Sequence, residues 1–295
     1  MLKLPDQIRA ETRHISGYRT LIQLSVIAGS VVCLWAFVLR FNSILGFITA
    51  SLFTGFALSG LINAAHECTH NTHYRNKWLN QFAGTIMCLP LLLNYHLYRW
   101  KHLDHHRYVG TSRDTEIPRH FNSRRDYIAT MLGLGYWKYI LSSLFQCLLR
   151  DFPTSINTRR KQNAVMLNAG LLLLVMLSLV IITFTWPLEI LLGYWLPMIT
   201  AIVLINIFSL AEHYRISPES LAVAESRTVL SNSVVRYFIW NANFHTEHHY
   251  FPKIQSYHLP HIYTQTAKQG YEQWSSYLSF HFWVWSELKR KERKV

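Results

Sequence analysis

The chain has 295 residues, half of them hydrophobic, with 29 Lys and Arg against 16 Asp and Glu and a formal charge of +13. Nucleic-acid binding would account for that charge, but the chain has no nucleic-acid module and no aromatic–basic platform, so we set that partner aside. Cys33, Cys68, Cys88 and Cys147 lack Cys-x-x-Cys spacing, which argues against a redox or zinc-ribbon motif.

Met1 to Tyr18 is polar and reads as a surface helix, with no apolar core and cleavage site of a signal peptide. Four charge-free runs follow: Leu21 to Leu39, Phe41 to Ala65, Val165 to Pro187 and Ile190 to Ala211. Each approaches the ~20 apolar residues needed to cross a bilayer, so spans are expected at about 21–39, 43–65, 165–186 and 190–211. Lys3, Arg9, Arg13 and Arg19 precede the first span, and the middle segment and the tail are also basic. Positive-inside logic then places both termini and the middle segment in the cytoplasm, with the first span acting as its own anchor.

Directly after the second span comes His66-Glu67-Cys68-Thr69-His70, which on a continuous helix sets His66 and His70 on one face. Cys68, two residues from His66, points away and reads as packing. Phe82 to Tyr95, broken by Pro90, is too short to span easily and reads as re-entrant or interfacial. It leads into His102-Leu103-Asp104-His105-His106, and His245-Thr246-Glu247-His248-His249 repeats that pattern. His105 and His106 lie about 100° apart around a helix, so one such helix suits two adjacent metal ions better than one. Both doubled clusters, the first cluster and His213 at the end of span four fall on the same expected face, and together they read as a histidine-built dinuclear metal site. Neutral imidazole suits Fe, Zn and Cu.

Glu67, Asp104, Glu212 and Glu247 lie in or beside the clusters and are candidates to accept the second ring N–H of a ligating histidine. Asp114 and Glu116, in the polar stretch from Gly110 to Asn122, stand evenly between that role and a solvated surface charge. His73 and His96 are weaker candidates, and His14, His120, His258, His261 and His281 read as structural or surface residues. Tyr127 to Leu149 suits a helix on the membrane surface; as a further span it would put the last cluster on the wrong side. Ser217 to Ser231 reads as a polar loop, and Tyr271 to Trp285 with its basic end as a surface-bound helix. The expected fold is an all-α membrane protein, one integral-membrane domain over 1–295, with four transmembrane helices and a cytoplasmic helical cap carrying the histidine site.

The three clusters in order, with Trp240-Asn241-Ala242-Asn243-Phe244 ahead of the third and Tyr250-Phe251-Pro252 after it, resemble the membrane fatty acid desaturase and hydroxylase superfamily. The resemblance runs from about span two to Pro260. It implies a non-haem di-iron centre with O2 as co-substrate, oxidising an unactivated C–H of a lipid acyl chain, most simply by desaturation. It implies as ligands the boxes His66, His70, His102, His105, His106, His245, His248 and His249, and adds Asn241 to the supporting residues. In the acyl-CoA desaturases of that superfamily a histidine at the end of the fourth span completes the ligation, which implies the same of His213. Electrons would come from a ferredoxin or cytochrome b5 type donor steered to the basic face. Glu67 in the first box also resembles members that hydroxylate hydrocarbons or carotenoids, so a hydroxylase or ketolase is the alternative. A zinc protease built on His66-Glu67-…-His70 leaves most of the other histidines unexplained, and a metal transporter wants its ligands at mid-membrane depth rather than at span ends.

Overall fold

The computed structural model describes residues 3–12, 14–116, 120–215 and 226–293. Arg13, Pro118, Lys294 and most of the polar stretch Ser217 to Ser231 lie outside the described residues.

The described chain is mostly helical, and four of its helices are long and apolar enough to cross a membrane. α1 covers only Asp6–Glu11, so the N-terminal surface helix is shorter than the sequence reading had it. Leu4 is buried with Phe244, Ile254, Leu259 and Ile262, and this apolar contact fastens an otherwise exposed segment to the region around the third histidine cluster. α2 (Gly17–Phe41) starts where the Ser16 hydroxyl accepts the Arg19 N–H, and stops at Asn42 in the left-handed conformation. α3 (Ile44–His70) is a single helix from the far end of the bundle through His66 and His70, ended by left-handed Asn71.

α3 is the central element because its packing face is built of small residues: Ala50, Ser51, Gly55, Ala57, Ser59, Gly60 and Ala64 are all buried. Small side chains allow close helix approach where lipid gives no hydrophobic drive to association. A methyl group on Gly55 would meet the Pro197 carbonyl at 2.6 Å, and one on Gly60 would meet the Phe238 carbonyl at 1.9 Å. α8 (Arg159–Thr185) is the third long helix. The fourth is composite: α9 (Pro187–Ile190), a π turn at Leu191–Trp195, and α10 (Leu196–His213). The π turn is pinned from both sides, by the Ser51 hydroxyl donating to the Leu192 carbonyl at 2.6 Å and by Trp195 Nε1 donating to Thr183 at 3.0 Å.

Between the second and third long helices lie α4 (Lys77–Cys88), a 3-10 turn at Leu89–Leu91 and α5 (Tyr95–Tyr108). The region read as one surface helix, Tyr127 to Leu149, is two: α6 (Arg124–Met131) and α7 (Leu134–Leu149). The chain breaks at Gly133, with φ of +87°, where a Cβ would strike Ile202 at 2.3 Å, so the backbone itself packs against α10. α4 and α7 keep exposed apolar faces, including Trp78, Phe82, Leu141 and Phe145, as suits helices lying along a membrane surface.

After the fourth long helix come β1 (Thr228–Val229), α11 (Ser233–Phe238), α12 (His245–Tyr250), α13 (Leu259–Thr266), β2 (Gln273–Trp274) and α14 (Tyr277–Glu292). β1 and β2 pair in parallel, so the architecture is helical with one two-residue pairing, and the Ser217 to Ser231 stretch is not all loop. His261 stands on α13, where Pro260 takes the first turn of the helix. The tail also differs from a surface-bound helix: Phe280, Val284 and Leu288 of α14 are buried with Leu210 of α10 and with Tyr214 just beyond it. His281 is structural, its Nδ1 paired with the Tyr127 hydroxyl at 2.8 Å and its Nε2 donating to the Ile207 carbonyl at 2.9 Å.

Candidate metal centre

Four elements deliver imidazoles to the same end of the bundle. The last turns of α3 and α10 carry His66, His70 and His213; α5 carries His102, His105 and His106; α12 carries His245, His248 and His249. α5 starts at Asn94, whose side chain accepts the Leu97 N–H and donates to the Val165 carbonyl, anchoring the helix against α8. The short α12 is held at its start: Thr246 donates to the Ser226 carbonyl and Asn243 to the Val229 carbonyl.

The nine rings sort into two groups. One ligand nitrogen from each of His66, His70, His102, His106 and His248 lies within 4.8 Å of the others, and the same holds for His105, His213 and His249. His245 joins the second group, its Nε2 2.8 Å from that of His213 and 3.0 Å from that of His249. The stacked rings of His106 and His249, 4.3 Å between centroids, bring the groups side by side. His105 and His106 thus face different groups, as their angular separation on a helix requires.

The donor set fits metal ions. His102 Nδ1 donates to Glu116 at 3.1 Å and His105 Nδ1 to Asp114 at 2.8 Å. Each bond fixes the tautomer that leaves Nε2 as a bare lone pair. That lone pair on His102 faces His70 Nε2 at 3.0 Å, while His105 Nε2 and His66 Nε2 are buried without a hydrogen-bond partner among the described residues. Burial, and then the neighbouring imidazoles, hold His102, His245, His248 and His249 far below the usual histidine range and push His106 down to about 2. All five are therefore neutral near pH 7, the form that ligates.

The acids are arranged less simply. Asp104 is buried with no hydrogen bond to an imidazole among the described residues, and Glu247 accepts from Thr228 and Tyr271 instead. Both stand two residues after the first histidine of their cluster, about 200° around the helix, on the side away from the site. Glu67 Oε2 accepts from Thr72 and from the Ser256 backbone, both at 2.9 Å, so it braces the first box against the segment after the third; its Oε1 lies 3.9 Å from His66 Nδ1. Glu212 lies 3.8 Å from His245 Nδ1. Asn241 donates to the Ser256 carbonyl rather than to a ring. His73 is paired with Thr20 and faces Trp240, and His96 rests against Tyr95.

A cavity of about 490 Å3 opens beside His66, His102, His213 and His245. Its walls are mostly apolar and aromatic, with Ile62, Tyr136 and Phe208 among them, and Lys101 and Glu116 stand on its polar side.

A helical membrane bundle with two histidine-walled metal-binding groups at one end, opening on an apolar cavity, defines a class of membrane metalloprotein. The fatty acid desaturase family model matches residues 42–281, and the chain belongs to that family of membrane oxidoreductases. It is 27% identical over 249 residues to a sphingolipid delta(4)-desaturase/C4-monooxygenase of Mus musculus, covering 79% of this chain and 70% of the mouse one. A sphingolipid delta(4)-desaturase of Drosophila melanogaster is 27% identical over 233 residues, covering 76% of this chain and 67% of the other. An sn-1 oleoyl-lipid 12-desaturase of Arthrospira platensis is 39% identical over 59 residues, covering 20% of this chain and 17% of the other.

Proposed function

We propose that this protein is an O2-dependent di-iron lipid desaturase, an oxidoreductase that introduces a double bond into an acyl chain. The observation that carries the reading is the meeting of the two histidine groups at the wall of an apolar cavity of about 490 Å3. His66, His70, His102, His106 and His248 would hold one iron, and His105, His213, His245 and His249 the other. Iron bound there would supply, from O2, the oxidising power that no side chain has.

The chain's own residues do the rest. Glu116 and Asp114 fix the tautomers of His102 and His105, and Glu67 and Glu212 stand beside His66 and His245. Glu247 ties α12 to Thr228 and Tyr271, Asn241 ties the segment ahead of α12 to Ser256, and Asp104 stands on the side of α5 away from the rings. Apolar walls exclude water and hold the acyl chain in one pose, so that one C–C pair faces the site. Desaturation removes two hydrogens from the chain and reduces O2 to two waters, with two further electrons and two protons from outside. An external donor of ferredoxin or cytochrome b5 type is the source we assign, drawn to the basic face of a protein with formal charge +13. The active site and both termini lie on the cytoplasmic side, and residues 1–295 act as one integral-membrane unit.

A hydroxylase reading has one specific support: the mouse relative is named both as a desaturase and as a C4-monooxygenase. Hydroxylation uses the same electrons but retains one oxygen atom in the product. Lipid analysis of membranes from cells expressing the chain separates the two. A new double bond supports desaturation, a new alcohol supports hydroxylation, and an unchanged lipid profile with reducing partner and O2 supplied would count against both. Metal analysis of the purified protein should find close to two irons per chain; one zinc and no iron would overturn the centre.

A further inference from the structure

A second concavity, about 340 Å3, lies between the start of α2 and α11, and none of the nine histidines lines it. Arg19 and Ile22 of α2, Arg236 and Tyr237 of α11, and Tyr257 beyond α12 form its walls, and Asn241 lies at its edge. Gln23 closes one side by donating to the Tyr237 carbonyl at 2.6 Å.

Two arginines line this concavity without an acid among the described residues. No carboxylate lines the concavity, and neither arginine forms an ion pair among the described residues. The Arg19 guanidinium lies on the Tyr257 ring, 4.4 Å from its centre, and Arg236 Nε has no hydrogen-bond partner among the described residues. Two guanidinium groups lining one concavity with no acid beside them leave its positive charge uncompensated, which favours an anionic occupant. The depth is informative too. Arg19 stands just before the charge-free run Leu21 to Leu39, and Leu21, Ile22 and Val26 on α2 and Val234 on α11 are exposed apolar side chains. The arginines therefore sit where a bilayer passes from headgroups to chains.

We infer that this groove binds the phosphate of an anionic lipid headgroup, with Arg19 and Arg236 as the two forks and the acyl chains lying along Leu21, Ile22 and Val234. Guanidinium matches phosphate in geometry and charge, and Asn241 and Ser233 add donors at the rim. Asn241 leads directly into the segment carrying His245, so a bound lipid also steadies that segment.

The test is native mass spectrometry of the detergent-purified full-length protein titrated with phosphatidylglycerol, with phosphatidylcholine as the uncharged reference. Wild type should bind phosphatidylglycerol preferentially and melt higher in its presence. The Arg19→Gln/Arg236→Gln double variant should bind it about tenfold more weakly, as loss of charge-assisted hydrogen bonds requires. A Lys289→Gln/Arg290→Gln/Lys291→Gln variant, which removes more charge from the tail, should bind as wild type does. Arg19→Lys/Arg236→Lys keeps the charge without the fork and should lie between, which covers the case in which the Gln variant does not fold. Unchanged phosphatidylglycerol binding in a folded Gln variant would overturn the proposal. So would displacement of the lipid by millimolar inorganic phosphate alone, which marks a free-anion site. Loss of reduction by an acidic electron donor with lipid binding intact would assign the groove to a protein partner instead.

Discussion

His213 Nε2 lies 2.8 Å from His245 Nε2, although the two residues come from different helices and His213 belongs to none of the three boxes. It stands on the last turn of α10, as His70 stands on the last turn of α3. Replacing His213 by Ala should remove metal and activity as fully as His105→Ala does. His281→Ala, which loses bonds to Tyr127 and Ile207, should keep its metal and lose only about 1 kcal/mol of stability. Metal content and melting temperature of the three proteins decide it, and full metal content in His213→Ala would remove that residue from the site.

The acids make a sharper comparison. Asp114 is hydrogen-bonded to His105, whereas Asp104 has no imidazole partner among the described residues. Asp114→Asn should weaken metal retention or turnover by about 10- to 100-fold, the usual effect of losing a carboxylate behind a ligating histidine. Asp104→Asn should leave the metal in place. Equal losses from both would show that the carboxylates act through folding rather than through the rings.

Acid should release the metal and loosen the apo protein together. His102, His106, His245, His248 and His249 are held below the ordinary value of 6.5 by burial, so below that pH the unfolded chain binds more protons than the folded one. Stability is therefore present above about pH 6.5 and falls as the pH drops toward the depressed folded values. The melting temperature of the metal-stripped protein should decline steadily from about pH 7.5 to about pH 5. Burial raises the Glu116 and Glu247 carboxyls, which opposes this fall in part, so a melting temperature that rises toward acid is the result that would contradict burial of neutral rings.

Packing and site are joined at Gly60, where a Cβ would sit 1.9 Å from the Phe238 carbonyl. Phe238 ends α11, just ahead of the third histidine segment. Gly60→Ala should cost about 1–3 kcal/mol, as overpacking does, and should lower metal content through the displaced segment. Gly29→Ala, with nothing within 4 Å of the new methyl, should do neither. Thermal unfolding and metal analysis of the pair provide the readout.

Topology follows from charge rather than from packing. Tags at residue 1 and residue 295 should both report the cytoplasmic side, and one at Trp186 the opposite side. If the two ends of the chain report opposite faces, an odd number of segments crosses the membrane and α7 becomes a span.

Much of this protein is legible without coordinates. The long apolar helices follow from runs such as Leu21 to Leu39, and Asn63-Ala64-Ala65 passing into His66 without a breaker leads to one helix carrying the first box. These are local statements, set by residue size, polarity and a 3.6-residue repeat. The same repeat accounts for Asp104 and Glu247 turning away, since two residues along a helix is the far side; their position inside the motif pointed the other way. Asp114 and Glu116 carry no such local mark. They come from a loop, and only the return of that loop over α5 shows which of the nearby acids meets a ring.

The sequence by itself determined which residues could form the site: the four long apolar helices, the shared faces of each box and the separate directions of His105 and His106. Tertiary structure alone decided which rings meet. His248 faces His106 across 142 residues of chain at 3.1 Å, and no local preference encodes that pairing. It depends on small residues letting α3 and α10 close on each other, on Gly133 splitting α6 from α7, and on Glu67 tying the first box to Ser256. Periodicity fixes where a side chain leaves its own helix, but the distance between two helices is set by the volumes packed between them.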